Sequence, residues 1–337
     1  MLLMVAILFV ALVGMLVLVF DLGRVVAIRR DMVNAADSAA LAAAQQCALG
    51  KGSAQASAAA SELTSANDPD ATVVSVTFST PECEPGASPT TQPKIVTVQS
   101  SVDVQYFFAQ IFGLSSGTYA TQARAQWGVL TEARPIPISV NNATLSGCGI
   151  PGMKPPDGGF IECTLEYPKD QLLEPRWGVL DLEHWNDPNA APCHVDASTV
   201  MDAIASGGWP DPIPLNQPVY DPSTGLGQKT YDCLDNGLSD AVWEAMEGRT
   251  LTFPVIDLPT STGKTKKGGA PCFGGAANCL VDTASVIGFI QLVVPIGGVE
   301  KQGSTVIVHA RWFGDTASSG VPGTGPSFGL KAVRLVD

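Results

Sequence analysis

Residues 1–20, MLLMVAILFVALVGMLVLVF, carry no polar side chain. Twenty apolar residues in a helix rise about 30 Å, which matches the hydrocarbon core of a bilayer. The chain continues DLGRVVAIRRDMVNAADSAALAAAQQCALG, alanine-rich and without proline, so the helix need not stop at the membrane edge. The pattern predicts one helix from Leu2 to about Leu49, on the order of 70 Å long at ~1.5 Å per residue. Its first half suits an apolar medium and its second half water. Residues 1–50 are therefore expected to form a stalk, closed by the break at Gly50-Lys51-Gly52.

Beyond the break the period changes. SAQASAAASELTSAND is again compatible with helix, with Asn67-Asp68-Pro69-Asp70 as its stop. ATVVSVTFST (71–80) and KIVTVQSSVDV (94–104) alternate β-branched with polar residues, the signal of half-buried strands. YFFAQIFG (106–113) reads as a short apolar helix and TYATQARAQWGVL (118–130) as a third strand. A helix laid across three antiparallel strands is a viable small core, so 51–130 is expected to be a head on the stalk. Residues 131–337 are rich in Pro, Gly and Asp. Strands are expected there at Trp177–Leu182, Leu251–Ile256, Ala284–Pro295, Ser304–Phe313 and Gly329–Val336, and short helices at Asp196–Ala205 and Ser239–Glu247. The fold class is α+β: a long N-terminal apolar helix followed by a β-rich, disulfide-stabilised body.

Within the stalk, Asp21 is the most unusual residue, an acid at the end of a twenty-residue apolar run. It shares a helix face with Arg24, three residues on, and the two can pair; alternatively Asp21 can bond to an arginine of another subunit. Gly14 and Gly23 lie inside the helix, where glycine costs ~1 kcal/mol relative to alanine. Close helix packing or local unwinding would account for them. The small residues of 35–44 would let a helix or a sheet approach closely, unless they serve helix propensity alone.

Composition narrows the partners. Asp+Glu 32 against Lys+Arg 19 give a net charge of −13, which disfavours nucleic acid and anionic lipid surfaces. Gly 34 and Pro 25 suit a turn-rich β body. Eight cysteines, Cys47, Cys83, Cys148, Cys163, Cys193, Cys233, Cys272 and Cys279, are an even number spread through Gly/Pro-rich segments beyond an apolar span. That points to disulfides in an oxidising compartment rather than to a metal, which would want short paired spacings. Pairing of nearest neighbours (47–83, 148–163, 193–233, 272–279) is the simplest of the 105 possible connectivities.

Catalytic patterns are scarce. No G-x-S-x-G, P-loop, HExxH or GxGxxG occurs. His184, His194 and His309 are scattered, and Cys193-His194 reads as a disulfide cysteine beside a surface histidine. The Asp-rich turns lack the spacing of a calcium loop. Trp177, Trp185, Trp209, Trp243 and Trp312 suit a β core better than a sugar platform. No enzyme activity, cofactor or metal is expected.

Asp21-Leu22-Gly23-Arg24, then Arg29-Arg30, then Asn34-Ala35-Ala36-Asp37-Ser38-Ala39-Ala40-Leu41-Ala42-Ala43-Ala44, behind the apolar run, resemble the N-terminal region of TadE/TadG-like proteins of the tight-adherence (Flp/Tad) pilus machinery. Phe107–Gly113 is similar to a stretch in the bodies of such proteins. The resemblance implies a pilin-like structural subunit, major or minor, of an extracellular filament. Its apolar helix would pack with copies of itself or with other pilins through Val5, Phe9, Gly14, Phe20, Asp21, Gly23 and Arg24. It also implies residence in the inner membrane before assembly, with the body outside the cytoplasm. The arginines beyond the span would place the body in the cytoplasm by the positive-inside rule. The cysteines argue the reverse. Either the body is cytoplasmic with free thiols, or a short basic leader ahead of Met1 has been removed, as in a pilin, and the second is favoured. Many pilins carry Glu at the fifth mature position, where this chain has Val5 if Met1 is the mature start. The alternative is a single-pass anchored adhesin or binding protein that does not polymerise.

Overall fold

The computed structural model describes residues 2–79, 83, 93–150, 155–156, 158–168, 197–216, 218–220, 240–257, 284–303, 305–323 and 327–336. They fall into two compact units: residues 1–87, 93–127 and 333–337 form the first, and 88–92 with 128–332 the second. The long N-terminal apolar helix and the β-rich body with two disulfides make the chain α+β.

In the first unit the stalk is helical from Leu2 to Ala48, but it is not one regular α-helix. An α-helix, α1 (Leu2–Leu16), passes through a π-helical turn at Val17–Asp21 into α2 (Leu22–Ala48). A π turn holds one residue more than an α turn. It shifts the faces of α2 by about 100° relative to those of α1, and it falls where the apolar run meets Asp21. The helical stretch Ile7–Ala48 is long and apolar enough to cross a membrane.

Leu49 to Gly52 break the helix as the glycines predict, with positive φ at Gly50 (64°) and Gly52 (94°) that a side chain would strain. The helix α3 (Ser53–Asn67) then folds back on α2. Asn67 Nδ2 at its far end donates to Ser38 Oγ at 3.0 Å. The facing surfaces are nearly all methyl groups: Ala36, Ala39, Ala40, Ala43 and Ala44 of α2, and Ala56 and Ala60 of α3, are fully buried. Small side chains let two helices approach at the short end of the usual interaxial range.

The strands β1 (Thr72–Phe78), β2 (Lys94–Gln105) and β3 (Ser116–Leu130) are antiparallel neighbours. Val96, Val98, Ser100, Val102 and Val104 point inward from β2, an alternation legible in the sequence. Met32 of α2 packs on Val102 and Val104, with Val25, Ile28 and Tyr119 at the edge. A disulfide joins Cys47, in the last turn of α2, to Cys83.

The second unit adds β4 (Glu132–Ala133), β5 (Val140–Asn141), the helix α4 (Asn142–Gly147), β6 (Ile161–Pro168), α5 (Ala197–Ser206), β7 (Ile213–Pro214), β8 (Pro218–Tyr220), α6 (Asp240–Glu244), β9 (Arg249–Asp257), β10 (Ala284–Val294), β11 (Val299–Gln302), β12 (Thr305–Trp312), β13 (Thr316–Ser319), β14 (Pro322–Gly323) and the first residues of β15 (Leu330–Val336), whose end from Val333 belongs to the first unit. Its main sheet runs β11-β12-β10-β9-β5, with β6 on β12 and β8 on β10. The pairing is antiparallel except for β5 on β9. Its core gathers Ile138, Leu145, Tyr167, Val200, Ile204, Trp243, Phe253, Ile290 and Val308. The fully buried Tyr167 ring lies 4.7 Å from that of Trp243. Burial drives the Tyr167 phenol far above its ordinary pKa, because no phenolate is tolerated there. Cys148 and Cys163 form the second disulfide, pinning α4 to β6.

The strand β6 and the helix α4 are among the elements that lie outside the sequence expectations. The strand β6 alternates Ile161, Cys163, Leu165 and Tyr167 with Glu162, Thr164 and Glu166, a period of two that is present in the sequence. The helix α4 is one short turn whose N-cap, Asn141 Oδ1, accepts from the Ala143 amide at 2.9 Å. The expected strand at Trp177–Leu182, and Cys193, Cys233, Cys272, Cys279, His184 and His194, lie outside the described residues.

Candidate functional site

The site begins with the exposed half of the stalk. Met4, Val5, Leu8, Phe9, Met15 and Val19 are each exposed over more than half of their surface, although nothing about them is polar. No carbon added at Gly14 or Gly23 would meet another atom within 4 Å, so neither glycine serves packing inside the chain. Of the expected assembly residues, Val5 and Phe9 project from the helix into open space, and Phe20 is half exposed. The same surface patterning on a soluble helix would be an aggregation hazard; it requires a lipid or protein environment.

Asp21 behaves otherwise. It is only 5 % exposed. Its carboxylate faces the connection between β2 and β3 and accepts three backbone N–H groups: Phe107 at 2.9 Å and Phe108 at 3.0 Å, and Ala109 at 2.7 Å. Successive amides converging on one anion form a nest, and charge-assisted bonds of this kind are the stronger class. An ionised carboxylate suits the nest because it only accepts. The hydrogen bonds of Asp21 thus go to backbone amides, while Arg24 acts on it as a nearby opposite charge. The π turn carries Asp21 toward the 107–109 backbone, and three amides satisfy both of its oxygens. Arg24 acts on the same connection by a different route. Its guanidinium donates to the Gln105 carbonyl at 3.0 Å and lies over the Phe107 ring, 4.8 Å from the centroid. Phe20 meets Phe108 with ring centroids 5.7 Å apart. Three successive landmarks of the stalk, Phe20, Asp21 and Arg24, thus hold one loop.

That loop was expected to be a short apolar helix. It is a single 3-10 turn, Ala109–Phe112, ended by Gly113 at φ 85°. Its ends are joined by Tyr106 N–H to Ser115 O at 3.0 Å and by the Tyr106–Tyr119 hydroxyl pair at 2.6 Å. Gly117 leaves room for the Tyr106 ring, since a Cβ there would come within 2.3 Å of its hydroxyl. The sequence singled out Asp21 but not its partners, because an amide nest is backbone and leaves no side-chain signature.

Elsewhere, His309 sits among Glu300 (Nε2 to Oε1 at 3.7 Å) and Thr164, an exposed pair at a strand surface. Among the described residues no group of His, Cys, Asp or Glu is placed to hold a metal ion. Trp209, Trp243 and Trp312 are buried in the second unit, as core residues. The expected turn at 67–70 is closed by Asp68 Oδ1 accepting from the Asp70 amide.

These features define a class: an α+β protein with a long apolar N-terminal helix whose 105–109 connection is held to the stalk at the end of the apolar run. Residues 1–46 match the model of the family described as putative Flp pilus-assembly TadE/G-like, and the match supports a role associated with the Tad pilus. No curated protein and no solved structure matches the chain.

Proposed function

We propose that this chain is a structural, non-catalytic subunit of a Tad-type pilus, assembled by packing the exposed half of its stalk against copies of itself or other pilins. The observation that carries the reading is the row of large apolar side chains left uncovered on residues that match a pilus-assembly family. Such a surface is stable in a bilayer before assembly and in a dry filament core afterwards, because both remove the same apolar area from water. The two disulfides suit a body outside the cytoplasm.

A second reading is a single-pass anchored adhesin that never polymerises. It is favoured by the second unit, which is larger than a stalk-borne head needs and carries its own core. Shearing cells and examining the released fibres separates the two. Full-length chain in the fibres supports the subunit; recovery only as detergent-dispersed monomers from the membrane supports the anchored adhesin.

A further inference from the structure

We propose that the 106–114 loop is a second lipid-contacting element, which lies in the interfacial layer of the bilayer beside the point where the stalk leaves the hydrocarbon. The inference rests on the reading of residues 2–20 as membrane-embedded before assembly.

The loop presents Phe107, Ile111, Phe112 and Leu114 to the outside at 69, 67, 59 and 60 % exposure. Four large apolar residues crowded on one connection are unusual on a chain of net charge −13. The loop is also free of charge: between Asp103 and Arg124 the sequence contains no Asp, Glu, Lys or Arg. The position of this surface identifies its cover. The Asp21 carboxylate bonds the amides of Phe107, Phe108 and Ala109, and Phe20 touches Phe108. The loop is therefore at the level of residues 20 and 21, where the apolar run ends. If residues 2–20 occupy the hydrocarbon, the loop cannot be elsewhere than at its border. Phe and Leu side chains insert at the boundary of headgroup and acyl chain, and the neighbouring Arg24, Arg29 and Arg30 place cations at headgroup depth. The negative net charge disfavours binding by attraction to anionic lipid, so the contact is one of apolar insertion. Asp21 then has a positioning role: it fixes the angle between stalk and loop so that both meet the bilayer together.

The test uses the full chain in phosphatidylcholine vesicles, with the photocrosslinker p-benzoylphenylalanine at Phe112, at Val10 in the stalk, or at Val74, an exposed apolar position on β1. The expected result is lipid adducts at 112 and 10, and few at 74. Adding Asp21→Ala should lower the adducts at 112 several-fold and leave those at 10 unchanged. Adducts at 10 with 112 no better than 74 would overturn the loop contact while leaving the membrane stalk intact. Absence of lipid adducts at 10 would overturn both. Crosslinks from 112 to a second protein chain in place of lipid would also overturn the proposal, and would make the loop a subunit interface.

Discussion

The two halves of the stalk are both helix, and their side chains are disposed in opposite ways. The first half leaves Met4, Val5, Ile7, Leu8, Phe9, Val10, Leu12, Met15, Val19 and Phe20 exposed. Residues 32–48 carry eight alanines, and bury seven of them. Hydrophobicity alone would rank the first half as the core. Packing ranks them the other way, because α3 and the sheet close on the alanine face of α2 while no described residue covers the large side chains of the first half. The protein reserves its most apolar surface for an environment it does not itself supply. The junction between the halves is the π turn with Asp21.

Substitutions on either side of that junction test the contrast. Removing the Cys47–Cys83 bridge with a double Cys→Ala change should cost about 2–5 kcal/mol of stability. Denaturant titration in detergent, beside the unsubstituted chain, would check it. Next, Ala40→Leu in the buried half should destabilise by ~1–3 kcal/mol through overpacking of α2 on α3, whereas Val10→Leu in the exposed half should leave the unfolding midpoint unchanged. Equal effects at both positions would erase the contrast. Asn67→Ala removes the bond to Ser38 that ties the hairpin's open end, with a cost of about 1 kcal/mol. Asp21→Asn should act more locally, since an amide NH₂ would oppose an amide donor in the nest; hydrogen exchange should accelerate at Phe107, Phe108 and Ala109 and not in β2. Last, Leu8→Ser should leave the body's unfolding as it is and reduce incorporation into fibres, which separates assembly from folding.

Much of this arrangement was legible residue by residue. The alternation in 94–104 located β2, and the glycines at 50 and 52 located the turn between α2 and α3. In the second region, strands near 251–256, 284–295, 304–313 and 329–336 were readable because buried β-branched residues run together there. The strand β6 was equally readable from its alternation, yet its short length and its Glu, Cys and Pro neighbours resemble a loop. The 106–113 segment misled for a physical reason. Its apolar composition suggested a short helix, while the structure uses it as an exposed 3-10 turn whose backbone serves Asp21.

The elements whose cause is local could be read before any fold was known: an uninterrupted apolar helix, its continuation in alanine, the glycine break, and the alternating strands. Periodicity and backbone preference act within a few residues, so they are written in consecutive positions. Tertiary folding alone settled which apolar residues are covered, and that Asp21 takes three amides some 86 to 88 residues away beside the charge of its helical neighbour Arg24. A backbone amide is common to every residue except proline, so nothing in a sequence marks three of them as an anion's partner until the chain has folded them into place.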